Sequence, residues 1–374
     1  MKKIILILIL LSFINCIAHA EMYPSMDLLG GNLVTRADTS QRLLNFFSPN
    51  IDFTWELENN SLIGVNLGYN DFLNDSYYNY FEPKIRIQVP LKKDSSNISA
   101  YIFSTINAKI LSNPNISTDV YNFAVGANLE YSIWDNISVG SAASLKYKTF
   151  DLLPEYNYFE SPLQIAINSS FESKTSVRFE LSLYNKIYSS VSQSEIYTIP
   201  GGNNNMGKKQ SSLNALNSFN YAGRYEISLS AGQNLFETTG IGIKYKYSSN
   251  LNHYKSSSAG YTYDYFLDSD LYDDPYTYSA NTISATLTQI LPLDFKISLS
   301  YENNLKTYLE SSPLGNRDET LNSFSLSLEK NISFESFITD MGFYLYYEQN
   351  INTSSLQYLN YNLNFIAAGI SLSF

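Results

Sequence analysis

Tyr121-Asn122-Phe123-Ala124-Val125-Gly126-Ala127-Asn128-Leu129-Glu130-Tyr131-Ser132 alternates without a break. Tyr121, Phe123, Val125, Ala127, Leu129 and Tyr131 take one parity, and Asn122, Ala124, Gly126, Asn128, Glu130 and Ser132 take the other. A period of two sends successive side chains to opposite faces of a β-strand, so this segment is a strand with one apolar and one polar face. The same split separates Ile51, Phe53, Trp55 and Leu57 from Asp52, Thr54 and Glu56, and Ile85, Ile87, Val89 and Leu91 from Lys84, Arg86 and Gln88. It returns in Val177, Phe179, Leu181 and Leu183 against Arg178, Glu180 and Ser182, and in Phe295, Ile297, Leu299 and Tyr301 against Lys296, Ser298, Ser300 and Glu302.

Outward from these segments, the pattern predicts strands near 43–57, 61–69, 84–91, 98–110, 120–132, 137–148, 163–171, 176–187, 219–231, 240–247, 281–290, 295–302, 321–329, 336–348 and 361–374. Short connections at Glu58 to Asn60, Lys92 to Asn97, Ile133 to Asn136, Glu172 to Thr175 and Leu291 to Asp294, with others near Gln233 and Lys330, alternate with longer ones. Asn-Ile-Ser at 97–99, 136–138 and 331–333 reads as turn chemistry handing over to a strand, because Asn tolerates the left-handed backbone of tight turns. Hairpins recur about every forty residues, apart from two expanded loops, Tyr188 to Ser218 and Ser248 to Ala280.

Composition narrows the classes. The 374 residues carry 32 Tyr and 22 Phe, are 16% charged and have a formal net charge of −11, which suits neither a disordered chain nor a nucleic-acid binder with a basic face. Lys2 and Lys3, the apolar Ile4 to Ile14 and Ala18-His19-Ala20 form a secretory signal over 1–20. A lipid anchor on Cys16 is disfavoured by Asn15 before it. Removing that signal takes away the only cysteine and leaves His253 as the one histidine, which excludes thiol nucleophiles, redox pairs and structural zinc. An exported chain of this size without disulfides fits a bacterial envelope.

The chain ends Gly369-Ile370-Ser371-Leu372-Ser373-Phe374. In this ending, and in its two-sided turn lengths, it resembles the bacterial outer-membrane β-barrel class, whose last strand closes the barrel and ends in an aromatic residue read by the assembly machinery. Gly369, Leu372 and Phe374 match that signal. The fold expected of 21–374 is all-β: a transmembrane antiparallel up-and-down barrel with short periplasmic turns and long extracellular loops. The strand count is about 16 if Met26 to Thr35 supplies a first strand, despite Gly30-Gly31, and about 14 without it. Alternation also suits a soluble sandwich, propeller or solenoid with its apolar face inward. Aromatics near strand ends on the apolar parity, namely Trp55, Tyr69, Tyr131, Tyr147, Tyr247, Tyr301, Tyr347 and Phe374, favour a membrane girdle.

With the polar parity facing the lumen, Lys84, Arg86, Lys109, Lys146, Lys148, Lys186, Arg224, Lys244 and Lys246 form a basic wall, and Asp52, Glu302 and Glu348 an acidic arc. This resembles general porins, which set basic against acidic residues across a constriction and imply a diffusion channel for small hydrophilic solutes or ions. The same lysines equally suit a rim that binds anionic lipopolysaccharide or is solvated. Porins use a long third extracellular loop as constriction, whereas Leu111 to Asp119 is short, so if a loop folds into the lumen it should be one of the two expanded ones. Homotrimers are common among such porins.

Asp268, Asp270, Asp273 and Asp274 follow Tyr261 to Phe266, a run that reads as an acidic surface loop, a glycan-binding or adhesive face, or a calcium site lacking the usual spacing. His253 stands without a catalytic motif, so no enzyme, cofactor or metal is expected. Two other classes stay open: a non-conducting adhesin whose loops do the work, and a transporter of apolar solutes, which needs an aliphatic lumen and a plug.

Overall fold

The computed structural model describes residues 21–37, 40–57, 59–91, 97–112, 119–188, 221–251, 274–309, 315–334 and 337–374. The signal expected at 1–20, His253, and Asp268, Asp270 and Asp273 lie outside them. Sixteen strands close into one antiparallel barrel, each bonded to its neighbours in sequence and the last to the first. In order they are β1 Glu21–Ala37, β2 Ser40–Glu56, β3 Leu62–Phe72, β4 Tyr80–Pro90, β5 Ile98–Leu111, β6 Val120–Trp134, β7 Ile137–Phe150 and β8 Tyr158–Ser170. There follow β9 Thr175–Tyr188, β10 Tyr221–Phe236, β11 Thr239–Asn250, β12 Tyr278–Ile290, β13 Lys296–Tyr308, β14 Arg317–Ser333, β15 Asp340–Ser354 and β16 Tyr361–Ser373.

The count is therefore sixteen, and the weak first strand is real. Gly31 does not break it: a Cβ there would run into the Ile366 carbonyl, so glycine is what lets β1 and β16 approach. Several strands outrun their apolar patterns, β14 starting at Arg317 rather than 321 and β8 at Tyr158 rather than 163. Beyond the apolar band both faces turn polar, as in Arg317, Asp318, Glu319 and Thr320, so alternation fades while backbone pairing continues. For the same reason the turns expected near Gln233 and Lys330 fall later, after Phe236 and Ser333, and Asn331-Ile332-Ser333 lies inside β14. Among the described non-glycine residues left-handed backbone occurs instead at Asn60, Lys174, Leu293 and Asp294, all in the short turns.

Large apolar side chains on the alternating parity stand exposed, Ile243 at 57% and Ile366 at 53%, with Ile102, Ile165, Leu145 and Ile283 alike. A soluble sandwich or propeller would bury them, so the apolar face is the outer one. Its upper edge is marked by a repeated contact between neighbouring strands: Tyr245 donates to Asn281 at 2.8 Å, Tyr301 to Asn322 at 2.7 Å and Tyr347 to Asn364 at 3.3 Å. On β16 the outward positions run Phe374, Leu372, Ile370, Ala368 and Ile366 before changing to Asn364 and Asn362.

Strands in a closed barrel tilt, so rows of paired residues climb around the wall. One row leaves Ser25 near the start of β1, passes Asp52, Asn66, Lys84, Asn107, Asn122 and Lys148, and reaches Tyr188 at the far end of β9. Closure is completed at the chain end, where the Phe374 amide donates to the Pro24 carbonyl at 3.0 Å and its ring lies 5.3 Å from Phe337. Just before it, Gly369 sits under the Tyr344 ring, and a Cβ would run into that ring.

Overpacking of this kind costs about 1–3 kcal/mol. Gly369→Leu should lower the folded, heat-modifiable fraction on electrophoresis, and adding Tyr344→Ala should restore it. An undiminished fraction in the single variant would show that Tyr344 is not held over Gly369.

Candidate functional site

All nine basic residues of the expected wall stand on the inward parity: Lys84 and Arg86 on β4, Lys109 on β5, Lys146 and Lys148 on β7, Lys186 on β9, Arg224 on β10, Lys244 and Lys246 on β11. Carboxylates that the sequence reading did not single out are interleaved with them. Lys146 pairs with Glu160 at 3.3 Å and Arg224 with Glu226 at 2.5 Å, and Arg178 on the same arc pairs with Glu180 at 2.8 Å. Among the described residues Lys84, Arg86, Lys244 and Lys246 make no ion pair or hydrogen bond, and all but Lys246 are well exposed. They occupy β4 and β11, on opposite sides of the ring of strands.

The three acidic residues are also inward. Glu302 lies midway along β13, two strands from Lys244 on one climbing row. Glu348 accepts from Tyr346 at 2.7 Å and Asn350 at 2.6 Å. Asp52 accepts from Thr54 at 2.9 Å and Asn66 at 3.3 Å, close to the short-turn end of β2. Gly369, Leu372 and Phe374 are placed at the seam, apart from the nine basic residues.

Of the second expanded loop, the described residues show the returning end against the wall. Its returning end, Asp274 with the 3₁₀ turn Pro275–Thr277, docks inside the long-loop mouth. Asp274 accepts from the Tyr276 amide at 3.1 Å and the Tyr188 hydroxyl at 2.8 Å, and lies 3.5 Å from Lys186 Nζ. The two charges are 1% and 2% exposed. Lys186 Nζ also faces the rings of Tyr158 at 4.0 Å, Tyr188 at 5.0 Å and Tyr276 at 5.3 Å, which replace water around a buried ammonium. Tyr276 reaches on to donate to Glu160 at 2.8 Å, linking the strap to Lys146. Burial, then the Glu160 and Asp274 charges, push this phenol far above its ordinary pKa, so it remains a donor at alkaline pH.

Cations stacked on rings recur around this mouth: Lys109 on Tyr80, Arg42 on Tyr78, Lys148 on Phe150, Lys306 on Tyr278 and Arg317 on Tyr308. Arg317 also pairs with Glu319 at 2.6 Å. Arg42, Lys306 and Arg317 stand outside the basic wall that the sequence predicts. A usable signal was present in Lys148-x-Phe150 and Lys186-x-Tyr188, since residues two apart share a strand face, whereas Arg42, Lys306 and Arg317 meet rings of other strands or turns.

The rest of the lumen divides in two. Toward the short-turn end, β6 to β12 line a chamber of about 620 Å³ whose lining includes Ser138, Asn168, Arg178, Ser230 and Lys244. Across β16, β1, β2 and β3, Leu33, Leu44, Phe46, Phe72 and Leu363 pack against one another. Leu33 and Leu44 are almost wholly buried, and beside them Leu29, Tyr344, Tyr346, Phe365 and Ala367 line a mainly apolar hollow of about 510 Å³. Among the described residues no group of three or more His, Cys, Asp or Glu side chains is placed to hold a metal.

No family model matches the chain, and no curated protein does. Solved structures share its architecture. OccAB1 of Acinetobacter baumannii aligns over 94% of this chain and 97% of its own, with a TM-score of 0.50 and 9% identity. OccK8 (OprE) of Pseudomonas aeruginosa aligns over 95% and 98%, with 0.51 and 9%. CdiB of Acinetobacter baumannii aligns over 93% and 60%, with 0.54 and 9%. The fold is thus that of outer-membrane β-barrels.

Breaking a buried ion pair by removing one partner costs about 3–5 kcal/mol, because the other charge is stranded. Lys186→Met and Asp274→Asn should each lower the urea midpoint of the barrel in micelles, and the double variant should lose less than the sum. Strict additivity would show that the two side chains do not interact.

Proposed function

We propose that the chain is a bacterial outer-membrane channel for passive diffusion of small hydrophilic solutes and ions, exported by its 1–20 signal. The observation that carries this reading is a closed sixteen-stranded barrel whose inward parity over β6 to β12 is mainly Ser, Thr, Asn, Gly and charge. Barrels of about 16 strands enclose more volume than their own side chains fill. On this reading Lys84, Arg86, Lys244 and Lys246, which make no ion pair among the described residues, set the field along the path, while the ring-stacked and paired cations hold the mouth in shape. Lipopolysaccharide surrounds the outer leaflet, and the assembly machinery reads the closing strand through Phe374. The site residues have positioning and electrostatic roles, and no step of covalent chemistry is assigned to them.

A second reading, a non-conducting barrel that displays its loops, draws on the strap Asp274–Thr277 docked within the mouth. Planar-bilayer recording separates the two. The channel reading expects steady conductance, with reversal potentials under a salt gradient moving toward cation preference in Lys84→Glu/Arg86→Glu and in Lys244→Glu/Lys246→Glu. Each double reversal should change the permeability ratio by about twofold or more, since unpaired lumenal charges act in a medium less screening than bulk water. A folded protein that stays silent would sink the channel and leave the loop-display reading.

A further inference from the structure

The outer face carries a feature that conduction does not use. Between β14 and β2 an apolar groove of about 520 Å³ crosses the lipid-facing surface. Its floor is Gly30 and Ala368, directly paired across the barrel seam, and its sides are the exposed Phe47, Phe343 and Leu345. At its short-turn end stands Lys330. Among the described strand residues Lys330 is the only charged side chain on the outward parity in that half of the barrel, the others being Arg36, Asp71 and Asp318 near the long-loop ends.

Lys330 is joined by an opposite charge. Its ammonium donates to the Leu293 carbonyl and lies 3.8 Å from Asp294 Oδ2. Leu293 and Asp294 both have left-handed backbone, φ 64° and 58°, in the turn between β12 and β13. The Asp294 carboxylate is 92% exposed. An ammonium has three protons, so Lys330 keeps one for a further acceptor beside a carboxylate open to a donor. From this pair the groove climbs with the slanted row Leu328, Leu345, Ala368, Gly30 and Phe47. Four strand spacings of ~4.8 Å make about 19 Å. That suffices for one acyl chain to cover half of a ~30 Å hydrocarbon core obliquely.

We propose that this groove is a binding site for one phospholipid of the periplasmic leaflet with a zwitterionic, primary-ammonium headgroup, phosphatidylethanolamine. The phosphate accepts from Lys330, the headgroup ammonium donates to Asp294, and an acyl chain lies over Gly30 and Ala368. A phosphatidylglycerol headgroup leaves Asp294 facing an anion, and the trimethylammonium of phosphatidylcholine has no proton to donate. The site requires the barrel to lie in a membrane but not to conduct, so a silent channel would leave it standing.

The test is native mass spectrometry of the folded protein from mild detergent, after incubation with an equimolar mixture of these three lipids with matched chains. Wild type should retain one phosphatidylethanolamine several times more often than either competitor. Gly30→Leu should remove the adduct while leaving the fold intact, because a Cβ at Gly30 meets only the Phe46 carbonyl oxygen at 3.6 Å and Phe47 Cδ2 at 3.9 Å. Lys330→Gln should remove it as well, and Asp294→Asn should keep a lipid but lose the preference over phosphatidylglycerol. Equal retention of the three lipids by wild type, dominance of phosphatidylglycerol, or an unchanged adduct in Gly30→Leu would each overturn the assignment. The wild-type ranking needs no variant, and a heat-modifiable band certifies that each variant is folded.

Discussion

Every backbone amide and carbonyl facing an apolar surround must find its partner within the chain. In this molecule that constraint is met by the pairing of β1 with β16, which joins the two ends of the sequence from Ser25 opposite Ser373 to Ala37 opposite Tyr361. Without it two edges would be left with unpaired ladders. The local devices at the seam serve this one requirement. Gly31 allows the two backbones to meet, Gly369 gives way to the Tyr344 ring, and the Phe374 amide extends the bonding by one residue to Pro24.

Closure creates an inside, and the inside has its own electrostatic problem. Cations withdrawn from water at the mouth need substitutes for it, and this chain supplies aromatic faces and carboxylates together. Lys186 has three rings and Asp274, while Arg317 has Tyr308 and Glu319. The abundance of tyrosine thus has two structural uses. Outward tyrosines bond to asparagines at the edge of the apolar band, and inward ones cover cations. Lower in the lumen the lining thins to serine, threonine and glycine, as in Ser284, Thr286, Gly232 and Gly242, and space opens there.

Most of the architecture was legible beforehand. The strand count followed from period-two segments, and only the first strand needed the argument that an even number must close. Strand ends were less legible, because the pattern reports the apolar band and the hydrogen-bonded ladder extends past it. Of the lumenal charges, the inward placement of Lys84 or Lys244 could be read from parity alone. Their state could not. Lys146 and Lys186 looked equivalent to these two, yet one is paired with Glu160 and the other is buried with Asp274, a residue 88 positions away. The outward Lys330 was read as part of a turn, because a single cation interrupts an apolar parity and mimics a strand end.

By itself the sequence determined that the chain alternates, which face is apolar, and that the short and long connections fall at opposite ends. These are local properties, since a side chain's face depends only on whether its position is odd or even. Tertiary structure decided which residues meet. Tilt carries each paired row from one end of the barrel toward the other, so neighbours are set by register summed over many strands. That sum places Asp274 on Lys186, Tyr276 on Glu160 and Gly30 beside Ala368. No window of the sequence contains it, because it exists only once the last strand has found the first.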